Sequence, residues 1–262
     1  MGGPHENYAL EPRPLGFGGQ AEVFKARDKR TGEYVAFKRL LSDLRNNQDA
    51  KARMRREIDV QTKIRHPNIM PVLDYSEHYY WYTMPIAQKT LKDLSIPIDY
   101  RLTLQIMEEI AHGLVYAHQS GNIHRDVTPN NILQLQSEDG STRWVISDWG
   151  LVRRIGQTSV LRTSPGFQFG TAGFAAPEMG QDAHEVDERA DVYSLGRIAA
   201  WCITGNWPLQ NIPLCPEGPI YEFILKTTKL YPFERTKNMH EVLQMIEDLR
   251  RSYGTETSYE AS

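Results

Sequence analysis

The stretch IHRDVTPNNIL, Ile123 to Leu133, is followed by VISDWG, Val145 to Gly150, which sets Asp126, then Asn131 five residues on, then Asp148 seventeen beyond that, on two loops. Two carboxylates and an amide in such loops are oxygen donors able to hold a metal-bound nucleoside triphosphate beside an acceptor hydroxyl. Phosphoryl transfer needs that set, because the charge on the transferred group's outer oxygens is met by cations, metal ligands and one carboxylate aimed at the attacking hydroxyl. Upstream, LGFGGQAEVFKA places Gly16, Gly18 and Gly19 at a strand turn, where residues without a Cβ let backbone amides come close to phosphate oxygens. A glycine hairpin is weak evidence alone. VAFK follows, with Lys38 twenty-two residues after Gly16, and Glu57 lies in RREIDV beyond it.

These residues need a scaffold, and the pattern around them supplies one. Tyr8 to Leu15, Ala21 to Arg27 and Tyr34 to Leu40 mix β-branched and aromatic residues with turn signals between them, which predicts three antiparallel strands. Ala50 to Ile64 has helix formers and apolar residues near helical spacing, and it stops before His66-Pro67. Met70 to Tyr75 and Tyr79 to Met84 would complete a five-stranded sheet. Beyond Pro85 the pattern turns helical: Leu102, Ile106, Ile110, Leu114 and Ala117 form an apolar stripe from Arg101 to His118, with Asp99 as its cap. Asp191 to Thr204 is apolar almost all round, as a helix buried on most sides should be, whereas Met239 to Arg251 reads as a surface helix. A small β-rich lobe, a hinge near Pro85 to Gln88 and a larger helical lobe follow, with the cleft between lobes as the expected ligand site. The last nine residues, small and polar, read as a frayed tail.

Together these motifs resemble a eukaryotic-type (Hanks-type) serine/threonine protein kinase, from about Tyr8 to Tyr253. The resemblance implies an α+β, bilobal protein-kinase-like fold: a small five-stranded antiparallel sheet plus one helix, joined by a hinge to a larger, mainly helical lobe. It implies a kinase domain over 8–252, with an N-lobe of 8–85, a C-lobe of 86–252 and short tails 1–7 and 253–262. It also implies ATP as phosphoryl donor and Mg2+, with Mn2+ as the alternative. By the same resemblance Lys38 contacts the α- and β-phosphates, Glu57 pairs with it, Asp126 orients the acceptor hydroxyl, and Thr171 hydrogen-bonds near Asp126. Asn131 and Asp148 are the implied metal ligands. Leu15, Gly16, Gly18, Gly19, Val23, Ala36, Lys38 and Leu133 belong to the implied nucleotide site, with Met84 behind the adenine and backbone groups of Pro85 and Ala87 bonding the base. GTAGFAAPE, Gly170 to Glu178, is similar to the segment that marks serine/threonine specificity, so the expected partner is a protein bearing a serine or threonine. Glu178 with Arg235 is implied to be a buried ion pair, and Asp191 a brace for the catalytic loop. Arg125 can grip a phosphorylated activation segment, in which Thr158, Ser159, Thr163 and Ser164 are the acceptors for self-phosphorylation.

Four positions depart from the family pattern. Ala21 stands at the third glycine, and Trp149 replaces the commoner phenylalanine after Asp148. Gln61, four residues after Glu57, puts an amide where an apolar side chain is usual, and leaving it unsatisfied would cost about 1 to 3 kcal/mol, which would loosen the helix or make its position regulated. Thr128 replaces a lysine that reaches the γ-phosphate, a loss of about 3 kcal/mol of charge stabilisation. These departures leave a pseudokinase, a nucleotide-binding or scaffolding module, as the alternative reading, with a small-molecule phosphotransferase third. Retention of Lys38, Glu57, Asp126, Asn131 and Asp148 discriminates, since a binding module has no chemical need for all five.

Composition narrows the partners. The 262 residues are 40% hydrophobic with a formal net charge of −3, which suits a soluble globular fold and gives no basic surface for nucleic acid or an anionic membrane. No run approaches the length of a membrane span, and MGGPHENY lacks a charged stretch followed by an apolar core, so a soluble protein is the expectation. Cys202 and Cys215 form no CxxC, the eight histidines form no HExxH, and a reducing, cytoplasmic setting is the expectation. His124 reads as a packed structural residue, and Lys51, Arg53, Arg55 and Arg56 as a solvated helix face that could also dock phosphate. Oligomeric state is not legible.

Overall fold

The computed structural model describes residues 6–154, 172–180 and 186–259. In chain order its elements are β1 (Tyr8–Phe17), β2 (Ala21–Asp28), β3 (Tyr34–Leu40), α1 (Gln48–Lys63), β4 (Asp74–Tyr75), β5 (Trp81–Met84) and β6 (Lys89–Thr90). There follow α2 (Tyr100–Gln119), β7 (Asn122–Ile123), β8 (Ile132–Gln136), β9 (Thr142–Ile146), β10 (Arg153–Arg154), α3 (Arg189–Thr204), α4 (Tyr221–Thr227) and α5 (Met239–Tyr259). They form two compact units, Met1–Lys89 with Leu133–Val152, and Thr90–Ile132 with Arg153–Ser262.

The first unit carries the expected five-stranded sheet, in the order β1-β2-β3-β5-β4 with every neighbour antiparallel. Its helix α1 begins where Asn47 Oδ1 accepts the Ala50 amide at 2.9 Å, an N-cap that satisfies one of the helix's orphan donors. Ala50, Met54, Ile58 and Gln61 recur at helical spacing and are buried. The fourth strand is shorter than the Met70 to Tyr75 the pattern suggests. The Met70 amide donates to Ile146 O at 2.9 Å and the Ile146 amide to Asn68 O at 2.9 Å, so Met70 bonds to β9, while the Leu73 amide still donates to Thr83 O on β5 at 2.8 Å.

The first unit also takes in Leu133–Val152. Leu135 and Val145 join Ala36, Met54, Ile58, Tyr82 and Met84 in one buried apolar cluster. Apolar side chains on a hairpin are stabilised only where a partner face covers them, and here that face is made by β3, β5 and α1.

The second unit is mainly helical. Asp99 Oδ1 accepts the Leu102 amide at 3.0 Å and starts α2 one residue ahead of the predicted helix, which then buries Ile106, Ile110, Leu114 and Ala117. Helix α3 is buried on nearly all sides, as its composition requires. It approaches α4 so closely that a Cβ on Gly196 would come within 2.2 Å of Thr227 Oγ1. Helix α5 continues to Tyr259, where the polar composition predicted a frayed tail. A helix already nucleated by packed turns extends at little further cost. Among the described residues no helix is long and apolar enough to cross a membrane.

Candidate active site

Within the first unit, the register of β3 and α1 brings three of the sequence-predicted residues together. Lys38 Nζ donates to Glu57 Oε1 at 2.7 Å and Oε2 at 2.9 Å, and lies 3.6 Å from Asp148 Oδ2. Burial opposes the lysine's charge, but the Asp148 and Glu57 carboxylates outweigh it and hold the ammonium well above the ordinary lysine range. Burial pushes the Glu57 carboxyl up, against the pull of Lys38. Two donor groups make three hydrogen bonds to Glu57: Lys38 Nζ supplies two and Tyr82 OH the third, at 2.7 Å to Oε1. Asp148 differs from its neighbours. Its side chain is 45% exposed, and its backbone sits at φ 63°, a left-handed conformation that strains a residue with a Cβ. Trp149 beside it is fully buried, filling the core position expected of it.

The predicted base-pocket residues Val23, Ala36, Met84, Ala87 and Leu133 share the apolar cluster described above, with Ala36 and Met84 paired across β3 and β5. Pro85 follows directly at the end of β5, whereas Leu15 on β1 is 56% exposed and stands outside the cluster. The Gly18 amide donates to Ala21 O at 2.8 Å, closing the β1–β2 turn. A Cβ on Gly16 or Gly19 would meet nothing within 4 Å. The fold therefore has no internal steric need for glycine at these two positions. Ala21 at the third position is buried and pairs with Leu40.

Gln61 finds one partner: its Nε2 donates to Met70 O at 2.7 Å, while Oε1 has none among the described residues. The basic residues of α1 are occupied in part. Arg55 pairs with Asp59 at 3.6 Å, and Lys51 and Arg55 lie over the rings of Tyr80 and Tyr79.

Within the second unit, Asn131 Nδ2 donates to Asp126 O at 2.9 Å and to Asp126 Oδ2 at 3.1 Å, so these two residues form one constellation. It is braced from α3. Asp191, fully buried, accepts the His124 amide at 2.9 Å and the Arg125 amide at 2.8 Å, which holds Arg125 in a left-handed conformation, φ 70°, directly before Asp126. His118 Nε2 reaches the same carboxylate at 2.8 Å, and its Nδ1 lies 3.2 Å from Glu188 Oε2 without a hydrogen bond's alignment. Burial would lower the His118 pKa, but Asp191 and then Glu188 push it up to about 9. His124 is fully buried with Nδ1 accepting the Asp126 amide at 3.2 Å, the packed role expected. Thr128 is buried, its hydroxyl without a partner among the described residues. Glu178 and Arg235 form a bidentate pair at 2.5 and 2.7 Å. Thr171 and the acceptors Thr158, Ser159, Thr163 and Ser164 lie outside the described residues.

Two contributors carried no sequence signal. Tyr82 faces Glu57 only because β5 pairs with β3, and His118 meets Asp191 from 73 residues away. Neither separation follows a helical or strand period. Both become visible only when a strand register or a helix packing is known.

The model of the protein kinase domain family matches residues 10–251. The serine/threonine-protein kinase PknJ of Mycobacterium tuberculosis is 36% identical over 210 residues, 77% of this chain and 34% of that protein. PknB of Mycolicibacterium smegmatis is 34% identical over 204 residues, 74% of this chain and 32% of that protein. The chain thus spans about a third of the length of the curated relatives it matches. The crystal structure of the PknI kinase domain of Mycobacterium tuberculosis superposes with a TM-score of 0.69 at 23% identity, covering 93% of this chain and 96% of that one, a likeness of fold. With a match over nearly its whole length and both polar constellations in place, the chain belongs to the protein kinase domain family.

Proposed function

We propose that this kinase domain transfers the γ-phosphoryl group of ATP to a serine or threonine hydroxyl of a protein. The observation that carries the reading is Lys38, an ammonium gripped by Glu57 yet only 3.6 Å from the part-exposed carboxylate of Asp148. Lys38 would bind the α- and β-phosphates, and the amides around Gly16, Gly18 and Gly19 would approach phosphate oxygens through the space that side chains there would fill. The cluster of Val23, Ala36, Met84, Ala87 and Leu133 offers an apolar lining for the base. By the family resemblance Asp148 and Asn131 would each offer a hard oxygen donor of the kind that suits Mg2+, with Mn2+ as the alternative. Such an ion, when bound, neutralises charge on the β- and γ-phosphates.

Asp126 would take the hydrogen bond of the acceptor hydroxyl and aim its oxygen at the γ-phosphorus. The new P–O bond forms as the bond to the β-phosphate's bridging oxygen breaks, the hydroxyl's proton passes to the Asp126 carboxylate, and ADP leaves. Asn131, bonded to both the backbone and the carboxylate of Asp126, restrains that aim. Thr128 supplies no cation here, so Lys38 would be the side-chain cation that meets the phosphate charge. The reading extends to self-phosphorylation at Thr158, Ser159, Thr163 or Ser164, and to a cytoplasmic setting, in which two free thiols stay reduced.

The test is transfer of labelled phosphate from Mg-ATP to the protein itself and to generic acceptor proteins, with Asp126→Asn and Asp148→Ala as controls. Wild-type transfer, lowered about a hundredfold or more in each control, is expected. Tight nucleotide binding with no transfer would overturn the reading in favour of a binding module. Mass spectrometry after incubation with Mg-ATP locates phosphate in the segment or removes self-phosphorylation from the proposal.

A further inference from the structure

One buried ionisable group in the first unit has no role in the steps above: the phenol of Tyr82. Tyr82 stands directly opposite Lys38 in the β3–β5 register, so both side chains leave the same face of the sheet, toward α1. It is 1% exposed. Its hydroxyl donates to Glu57 Oε1 at 2.7 Å, the same oxygen that Lys38 reaches at 2.7 Å, and Lys38 Nζ lies 5.6 Å from the centre of its ring. The ammonium is thus flanked by a carboxylate and an aromatic face, and the carboxylate is tied to two strands at once.

This matters because Lys38 is shared. Asp148 stands 3.6 Å away on the other side, and an arriving phosphate would draw the ammonium further from Glu57. A buried carboxylate held by lysine alone would then lose its only partner, at the full desolvation cost of its charge. A second donor that does not move with the ligand removes that difficulty. Tyr82 is such a donor, since it sits on β5, an interior strand paired on both sides, and belongs to the same buried cluster as Ala36, Met54 and Ile58.

We propose that Tyr82 is a positioning residue for nucleotide binding: its hydroxyl anchors Glu57, and with it α1, so that Lys38 keeps its direction when phosphate competes for it. The inference rests on the proposed kinase reading for its ligand. It concerns how the phosphate-binding lysine is held, and names a residue the motif pattern does not contain.

Tyr82→Phe keeps the ring and its contact with Lys38 and removes only the hydrogen bond. Two measurements follow, one of them independent of catalysis. In the ligand-free protein, hydrogen exchange of the α1 amides should quicken about tenfold while exchange in β1 and β2 stays unchanged. In steady-state transfer, KM for ATP should rise about tenfold, with KM for the acceptor protein unchanged and kcat within about threefold. Unchanged α1 exchange overturns the inference, as does quicker exchange with an unchanged KM for ATP. An equal rise in both KM values, together with a general loss of thermal stability, also overturns it, because that is what a merely structural tyrosine would show. Should the wild type neither bind nor transfer from Mg-ATP while the variant's α1 exchange quickens, the kinase reading fails and the anchoring of Glu57 by Tyr82 stands.

Discussion

His118→Gln removes a buried positive charge and leaves an amide that still donates toward Asp191. In the folded protein the imidazole is held at about 9 against an ordinary value of 6.5, with Asp191 at 2.8 Å as the main attractive partner. A folded-state pKa raised above the unfolded one stabilises fully below pH 6.5, and the contribution falls away as pH rises through about 9. At about 1.4 kcal/mol per pH unit the interval amounts to about 3 kcal/mol, and little is lost to screening because His118 is buried. The variant should therefore be about 3 kcal/mol less stable than wild type at pH 6, or about 6 to 12 °C in Tm. By pH 10 that pH-dependent difference should have vanished. Urea unfolding of both proteins at half-unit steps from pH 6 to 10, at constant ionic strength, measures it directly. A difference that stays flat across the range, or grows with pH, would show that His118 is neutral in the fold and that Asp191 holds the His124 and Arg125 amides unaided.

Three further outcomes follow from the packing. Glu178→Ala strands the buried Arg235 guanidinium without its carboxylate and should lower stability by about 3 to 5 kcal/mol in urea, whereas a loss under about 1 kcal/mol would mean that Arg235's bonds to carbonyls suffice. Gly196→Ala drives a methyl to within 2.2 Å of Thr227 Oγ1, and calorimetry should find about 1 to 3 kcal/mol lost as α3 and α4 separate. Gln61→Leu exchanges one bond to Met70 O for relief of an unpartnered amide oxygen, so stability should move by no more than about 1 kcal/mol and phosphate transfer should not change. A large gain in transfer would instead restore the idea that Gln61 loosens α1.

The sequence by itself determined which chemistry is available and most of the elements that carry it. Gly16, Lys38, Glu57, Asp126, Asn131 and Asp148 are picked out by the resemblance of short motifs to those of the kinase family, and short motifs survive in sequence because turns, strands and loops are local. Helices α1, α2 and α3 were legible for a related reason: burial of one face imposes a period, and burial of all faces abolishes it. What local patterns do not encode is which main-chain group answers which. That the Met70 amide answers Ile146 O, and that Leu135 and Val145 are covered in one cluster with residues of β3, β5 and α1, was decided by packing. Tyr82 on Glu57 and His118 on Asp191 belong to the same class. Each joins residues far apart in the chain through a hydrogen bond of under 3 Å, and such a contact exists only once two separately stable elements have packed in a particular register.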